Sequence, residues 1–332
     1  MKRKVLETKN LSIGYRVSGK PDIALFPPIN ITLFEGDIVA LAGANGSGKT
    51  TLFKTLTDST KPLSGEVLLF DKNIRHYSAT KKASLFSIVL TERPDDVFLK
   101  VFDVVASGRY PYVGLWAKLK KSDYEIIEQS LKLTGTENLI DRTFNSLSDG
   151  ERQKVMISKA LAQNTPLIVL DEPAAFLDYP SKIELTLLLV KLAREQHKTI
   201  LFSSHDLDIL MRTADKLWLV ARNKPLVSGI SEDLAISGLI DNYLSCNDLI
   251  FDLKTAQFTI PKQKKCQIAI EPADLCLQWV ERALIRKGYE VVKPDGKTLE
   301  ITSENGFFCF TYFEKKYQAQ TIEELLNQIE NI

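Results

Sequence analysis

The chain has 332 residues, 44% of them hydrophobic and 26% charged, with 43 basic against 42 acidic side chains and a net charge of +1. That length suits two domains with substantial cores, and so balanced a charge provides no global field to gather nucleic acid. No apolar run reaches the roughly 20 residues that cross a bilayer, and the basic start MKRKVLETKN leads into no apolar stretch, so it does not read as a signal peptide.

In chain order, Asp37–Ala42 is predicted as a short apolar strand, followed by the loop GANGSGKT (Gly43–Thr50) and a helix from about Thr50. The loop matches G-x-x-x-x-G-K-[ST] in the strand–loop–helix setting that this pattern requires. Gly43, Gly46 and Gly48 let the backbone curl until successive N–H groups point inward at phosphate oxygens. Lys49 then supplies a cation to the β- and γ-phosphates, and Thr50 a hydroxyl to Mg²⁺. A chance glycine loop is the bland alternative, and the flanking elements weigh against it.

Further on, VFDVVASGRYPYVGLW (Val101–Trp116) carries the aromatics Phe102, Tyr110, Tyr112 and Trp116, most of which are expected in a core. NSLSDGERQKVMISKALAQ (145–163) reads as a helix from Arg152, with Val155, Met156, Ile157, Ala160 and Leu161 on a buried face. Ahead of it, Ser148, Asp149 and Gly150 leave the first backbone N–H groups open, which makes an anion site. LIVLDEP (Leu167–Pro173) supplies four apolar residues and then Asp171 at the strand's carboxyl end, where α/β sheets place ligands. Asp171 is expected to hold Mg²⁺ through water, and Glu172 to orient and polarise an attacking water. The helix Ser181–Gln196 is amphipathic, with Leu185–Val190 as a buried face, and Thr199–Ser203 is the next strand. His205, in SSHD (Ser203–Asp206), stands at that strand's end and is expected to donate to the γ-phosphate rather than serve a structural role. Lys216–Ala221 is a further strand. Strands separated by helices imply an α/β core with a parallel sheet.

Near residue 255 the texture changes, and the polar stretch 261–265 reads as a linker. Beyond it come a strand (Gln267–Ile270), a helix (Pro272–Lys287), strands at Tyr289–Val292, Thr298–Thr302 and Phe307–Phe313, and a short helix from Thr321. The helix is predicted to bury Leu275, Trp279, Ala283 and Leu284. Cys246, Cys266, Cys276 and Cys309 form no C-x-x-C pair, so reduced core cysteines are expected rather than a zinc site.

These elements in this order resemble the ATP-binding cassette family over roughly residues 4–250. LSDGE (Leu147–Glu151) falls where that family carries its signature, about twenty residues before LIVLDEP; AAFLD (Ala174–Asp178) matches the loop after the catalytic Glu, and Tyr15 the adenine-stacking aromatic. The resemblance implies an α/β P-loop NTPase cassette with a parallel-sheet core, a helical subdomain and an N-terminal antiparallel β part over residues 1–255, plus a small C-terminal α+β domain over 262–332. It implies ATP and Mg²⁺ as cofactors. Lys49, Glu172 and His205 become the catalytic residues; Tyr15, Gly43, Asn45, Gly46, Ser47, Gly48, Lys49, Thr50, Thr51, Ser148, Gly150 and Asp178 contact the nucleotide; Thr50, Asp171 and Thr91 serve the metal.

In this family two cassettes pair head to tail, so the anion at the start of the signature helix is the ATP of a second copy. Two departures stand out. Asp149 replaces the usual Gly and is expected to fold back as an N-cap onto the N–H of Glu151 or Arg152. Thr91 or Glu92, in IVLTER (Ile88–Arg93), stands where the family places a metal-touching Gln. The stretch Val101–Trp116, with its G-R-x-P segment, resembles ATPases of importers for iron chelates, haem and cobalamin, in which those aromatics can receive a permease. The implied protein is therefore the ATP-hydrolysing subunit of an importer. It would work at the cytoplasmic face of the inner or plasma membrane through a separate permease and, indirectly, a substrate-binding protein, with no nucleic-acid partner. An importer ATPase for a different substrate remains open. A soluble cassette ATPase would be expected to carry two cassettes or a long coiled-coil insertion, and a metabolic P-loop kinase would lack LSDGE and His205. Cargo identity and the role of the C-terminal domain are not written in these residues.

Overall fold

The computed structural model describes residues 2–16, 19, 21–90, 98–113, 118–175, 177–245, 249–253, 255–260, 265–271, 275–295, 298–304 and 306–331. The chain divides into two compact units, Met1–Thr259 and Ile260–Ile332. The first is built on a six-stranded sheet in the order Val227–Gly229, Lys216–Leu219, Ile38–Ala42, Thr199–Ser203, Leu167–Leu170, Phe86–Val89. All neighbours run parallel except the edge strand Val227–Gly229. Ile38–Ala42 is buried along its whole length, and its side chains alternate between two cores. Ile38, Ala40 and Ala42 face one cluster with Leu189 and Leu192, while Val39 and Leu41 face another with Leu52, Phe53 and Trp218. A sheet covered on both faces demands the unbroken apolar runs read from the sequence.

The N-terminal antiparallel part is a second sheet, in the order Thr32–Phe34, Lys4–Ser12, Ser64–Leu69, Lys72–Asn73. The helical part packs Val101–Ala106, Lys121–Thr134 and Asp149–Ala162 around Val105, Ile127, Leu131 and Val155. Arg109 is buried there, donating to Asp123 at 2.9 Å and to the Ala162 carbonyl at 2.8 Å. Of the aromatics expected in this core, Phe102 packs against it and stacks on Tyr124. Tyr110 and Tyr112 are exposed, at 60% and 39%. The turn at Ser107–Tyr112 points them outward, with the Tyr112 hydroxyl donating to the Gln163 carbonyl. Trp116 lies outside the described residues.

The sequence reading assigned no structure to 250–259. There, Ile250–Asp252 and Gln257–Thr259 form a hairpin. Phe251 is buried in the main core and meets Phe258 edge-on at 5.4 Å, which carries the first unit's packing to Thr259.

The second unit has a five-stranded sheet ordered Glu290–Val292, Gln267–Ile270, Leu299–Glu304, Phe307–Tyr312, Lys315–Ala319. Its helices are Leu275–Lys287 and Ile322–Glu330. The first of these buries Leu277, Val280, Ala283 and Leu284. Leu275 and Trp279, predicted on that face, are 72% and 56% exposed. A helix turns about 100° per residue, and the stripe 277–280–284 wins because Ile268, Ile301 and Leu325 meet it. The cysteines also depart from expectation. Cys309 is buried, Cys266 and Cys276 are exposed, and Cys246 lies outside the described residues.

Candidate active site

The loop after Ile38–Ala42 holds two residues of left-handed backbone, Gly46 at φ +73° and Gly48 at φ +103°, which side-chain-bearing residues rarely adopt. Gly43 is required by space: a Cβ there would lie 2.5 Å from the Val220 carbonyl oxygen. The helix Lys49–Leu56 starts directly from this curl. Lys49 is buried, and its Nζ donates to the carbonyls of Gly43 at 2.9 Å and Ala44 at 3.3 Å. Burial pushes the Lys49 pKa down, and the nearby carboxylates of Glu172 and Asp171 oppose that shift. Ser47 Oγ is buried with no hydrogen-bond partner among the described residues, which in a polar loop marks a place built for a ligand atom. Asn45 and Gly46 stand exposed at the mouth of the loop.

Both acids follow the strand Leu167–Leu170, which is separated from Ile38–Ala42 by Thr199–Ser203. Thr50 Oγ1 donates to Asp171 Oδ2 at 3.0 Å, placing a hydroxyl beside a carboxylate. Hard oxygen donors in such a pair suit Mg²⁺, which binds through one or two carboxylates and the substrate's phosphates. Ser203 Oγ donates to Asp171 Oδ1 at 2.7 Å and accepts from the Glu172 N–H at 2.8 Å. Ser203 was missed as a site residue; its signal was a hydroxyl directly after the apolar run Ile200–Phe202, two residues before His205. Glu172 itself sits at φ +51°. That backbone costs of order 1–3 kcal/mol for a non-glycine residue. It turns the Glu172 carboxylate to His205, where Oε1 accepts from Nε2 at 2.5 Å, and leaves Oε1 3.9 Å from Lys49 Nζ. Lys49, Thr50, Asp171, Glu172 and His205 thus form one cluster.

Tyr15 stands 52% exposed at the side of the same helix, its hydroxyl 3.2 Å from Thr51 Oγ1. Ser148 and Gly150 lie at the start of the helix Asp149–Ala162, and Asp178 at the start of the helix Tyr179–Gln196. A Cβ on Gly150 would lie 3.6 Å from Leu177, which places the start of the helix Asp149–Ala162 beside Asp178. Asp178 caps its own helix by accepting from the Ser181 N–H at 3.0 Å; hydrogen bonding from Ser181 holds its carboxyl below the usual range. Thr91 and Glu92 lie outside the described residues.

The helix start is not open in the way the sequence suggested. It begins at Asp149, and Ser148 is its cap. Ser148 Oγ accepts from the Glu151 N–H at 3.4 Å and donates to Glu151 Oε2 at 2.9 Å, while the Ser148 N–H donates to the same carboxylate oxygen at 2.8 Å. The Ser148 N–H is the main cause holding the Glu151 carboxyl below its ordinary pKa. Asp149 is therefore not the cap; it lies in the first turn, where an acid complements the helix dipole. Asp149→Gly is expected to cost about 1 kcal/mol, combining the lost dipole interaction with the glycine's helix penalty. A thermal-unfolding midpoint unchanged from wild type would refute that placement.

Comparison with known proteins follows the same division of the chain. Residues 26–175 match the family model described as ABC transporter, and residues 265–330 match the iron ABC transporter C-terminal domain. An uncharacterised ABC transporter ATP-binding protein of Methanocaldococcus jannaschii is 38% identical over 255 residues, covering 77% of this chain and 84% of its own. The iron(3+)-hydroxamate import ATP-binding protein FhuC of Bacillus subtilis is 33% identical, covering 78% and 92%. Among solved structures, the inward-facing form of a transporter assigned to the metal-chelate type matches with a TM-score of 0.61 at 29% identity, covering 70% of this chain and 85% of that one.

Proposed function

The chain belongs to the ATP-binding subunits of ABC transporters, and from that premise we propose that it hydrolyses ATP to drive import of a metal chelate through a separate permease. One observation carries the catalytic half of this reading: Lys49, Asp171, Glu172 and His205 converge at three adjacent strand ends around a glycine-rich phosphate loop. The loop N–H groups and Lys49 bind and orient the triphosphate. Mg²⁺, held by Thr50 and Asp171, would neutralise charge on the phosphate oxygens. Glu172 accepts the proton of the attacking water, and His205, whose Nε2–H donates to that carboxylate in this structure, would redirect the N–H toward the γ-phosphate once ATP is bound.

Ser148 and Gly150 stand on the helix Asp149–Ala162 and not on the phosphate loop, which is compatible with a head-to-tail pair in which these two and Asp178 meet ATP held by a second copy. For that, Ser148 Oγ must exchange its bond to Glu151 for a phosphate oxygen. Asp149→Gly is accordingly expected to leave ATP turnover within a few fold, and a far more active variant would identify the carboxylate as a brake on that exchange.

No helix among the described residues is long and apolar enough to cross a membrane, which supports a peripheral subunit seated on a permease at the cytoplasmic face. The metal-chelate class rests on the C-terminal match and on the import relative. Uptake of radio-iron as a ferric hydroxamate by cells lacking the gene tests it. Uptake should fall to background and return with the intact gene; undiminished uptake of every metal chelate tried would exclude that cargo class.

Cutting after Thr259 should leave a folded chain that still hydrolyses ATP, since every nucleotide-contacting residue proposed here precedes it. Cutting after Asp252 should be worse, because it removes the strand paired with Ile250–Asp252 and the edge contact on Phe251. Equal thermal midpoints for the two truncations would argue against the hairpin's part in the first unit's core.

A further inference from the structure

We propose that the groove between the two helices of the C-terminal unit binds a small organic anion that presents a flat aromatic face. The groove encloses about 630 Å³ between Leu275–Lys287 and Ile322–Glu330, within the range of small-molecule sites. Ala283 and Leu326 form an apolar floor, and Trp279, Arg282, Arg286 and Lys287 line one wall.

Trp279 is the feature that requires explanation. A large aromatic on an amphipathic helix is expected inside, yet this one is 56% exposed with the Arg282 guanidinium 5.0 Å from its ring centroid. Lys287 is neutralised by Glu330 at 3.1 Å. Neither Arg282 nor Arg286 forms an ion pair with any described residue, and the one acid lining the groove is Glu323. Like charges gathered on one wall repel one another, and an anion in the groove removes that cost. A guanidinium fork suits a carboxylate, and an exposed indole offers a stacking surface of low conformational cost. Ring and cations lie on one helix face, so a single ligand carrying both an aromatic plane and a carboxylate satisfies both.

The test uses the purified full-length chain and naphthoate as probe, titrated by calorimetry. Acetate supplies the charge alone and naphthalenemethanol the ring alone. Naphthoate should bind, with each control weaker by about tenfold or more. Trp279→Ala and Arg286→Ala should each weaken naphthoate by a similar factor, while far-UV circular dichroism and ATP turnover without probe stay at wild-type values. Absence of naphthoate binding, or wild-type affinity in either variant, overturns the site. Acetate binding as tightly as naphthoate overturns the aromatic half of the assignment.

Discussion

Lys49→Ala is expected to lower ATP turnover by at least about a hundred- to a thousandfold, the cost of removing one preorganised group that stabilises transition-state charge. The ammonium is buried and donates to the Gly43 and Ala44 carbonyls, which fixes it over the loop before any substrate arrives. It is also the nearest cation to Glu172, at 3.9 Å. Alanine removes the charge and leaves those two carbonyls without their donor. An unsatisfied buried polar group costs roughly 1–3 kcal/mol, so a modest drop in thermal midpoint should accompany the kinetic loss. Steady-state ATPase assays decide the matter, and a variant that keeps most of its activity sinks the phosphate-loop assignment.

Glu172→Gln should behave differently. Its amide oxygen can still accept from His205, so the local geometry survives, but the amide cannot take a proton from water. Loss of a general base is worth about a hundred- to ten-thousandfold. Nucleotide binding should persist, because the loop and Lys49 are untouched. With ATP and Mg²⁺ the variant should accumulate as a dimer joined by two nucleotides, which light scattering can read directly. Nucleotide-bound protein that remains wholly monomeric would count against the head-to-tail arrangement.

The parts of this site legible in the sequence are those where chemistry and local structure coincide. GANGSGKT announces its own strand–loop–helix geometry, and four apolar residues before Asp171 and Glu172 announce a buried strand end. What the sequence could not disclose depends on neighbours distant in the chain. The role of Ser203 appears only once Asp171 and the Glu172 N–H are both beside it. The left-handed backbone of Glu172 has no residue-type signal, since glutamate rarely adopts it. The helix Leu275–Lys287 carries two apolar stripes, and only the sheet beneath decides which is buried. The edge strand Lys315–Ala319 was unread because three of its five residues are exposed, which blurs the alternation that marks a strand.

Ser203 joins the two acids through a single oxygen, so they are not independent variables. Asp171 cannot shift toward a metal of different radius without tugging the hydroxyl that also anchors the backbone of Glu172. Exchanging Mg²⁺ for the larger Mn²⁺ should therefore alter the isotope effect of solvent deuterium as well as the apparent metal affinity. Ser203→Ala should uncouple those two observables, leaving metal identity to act on binding alone.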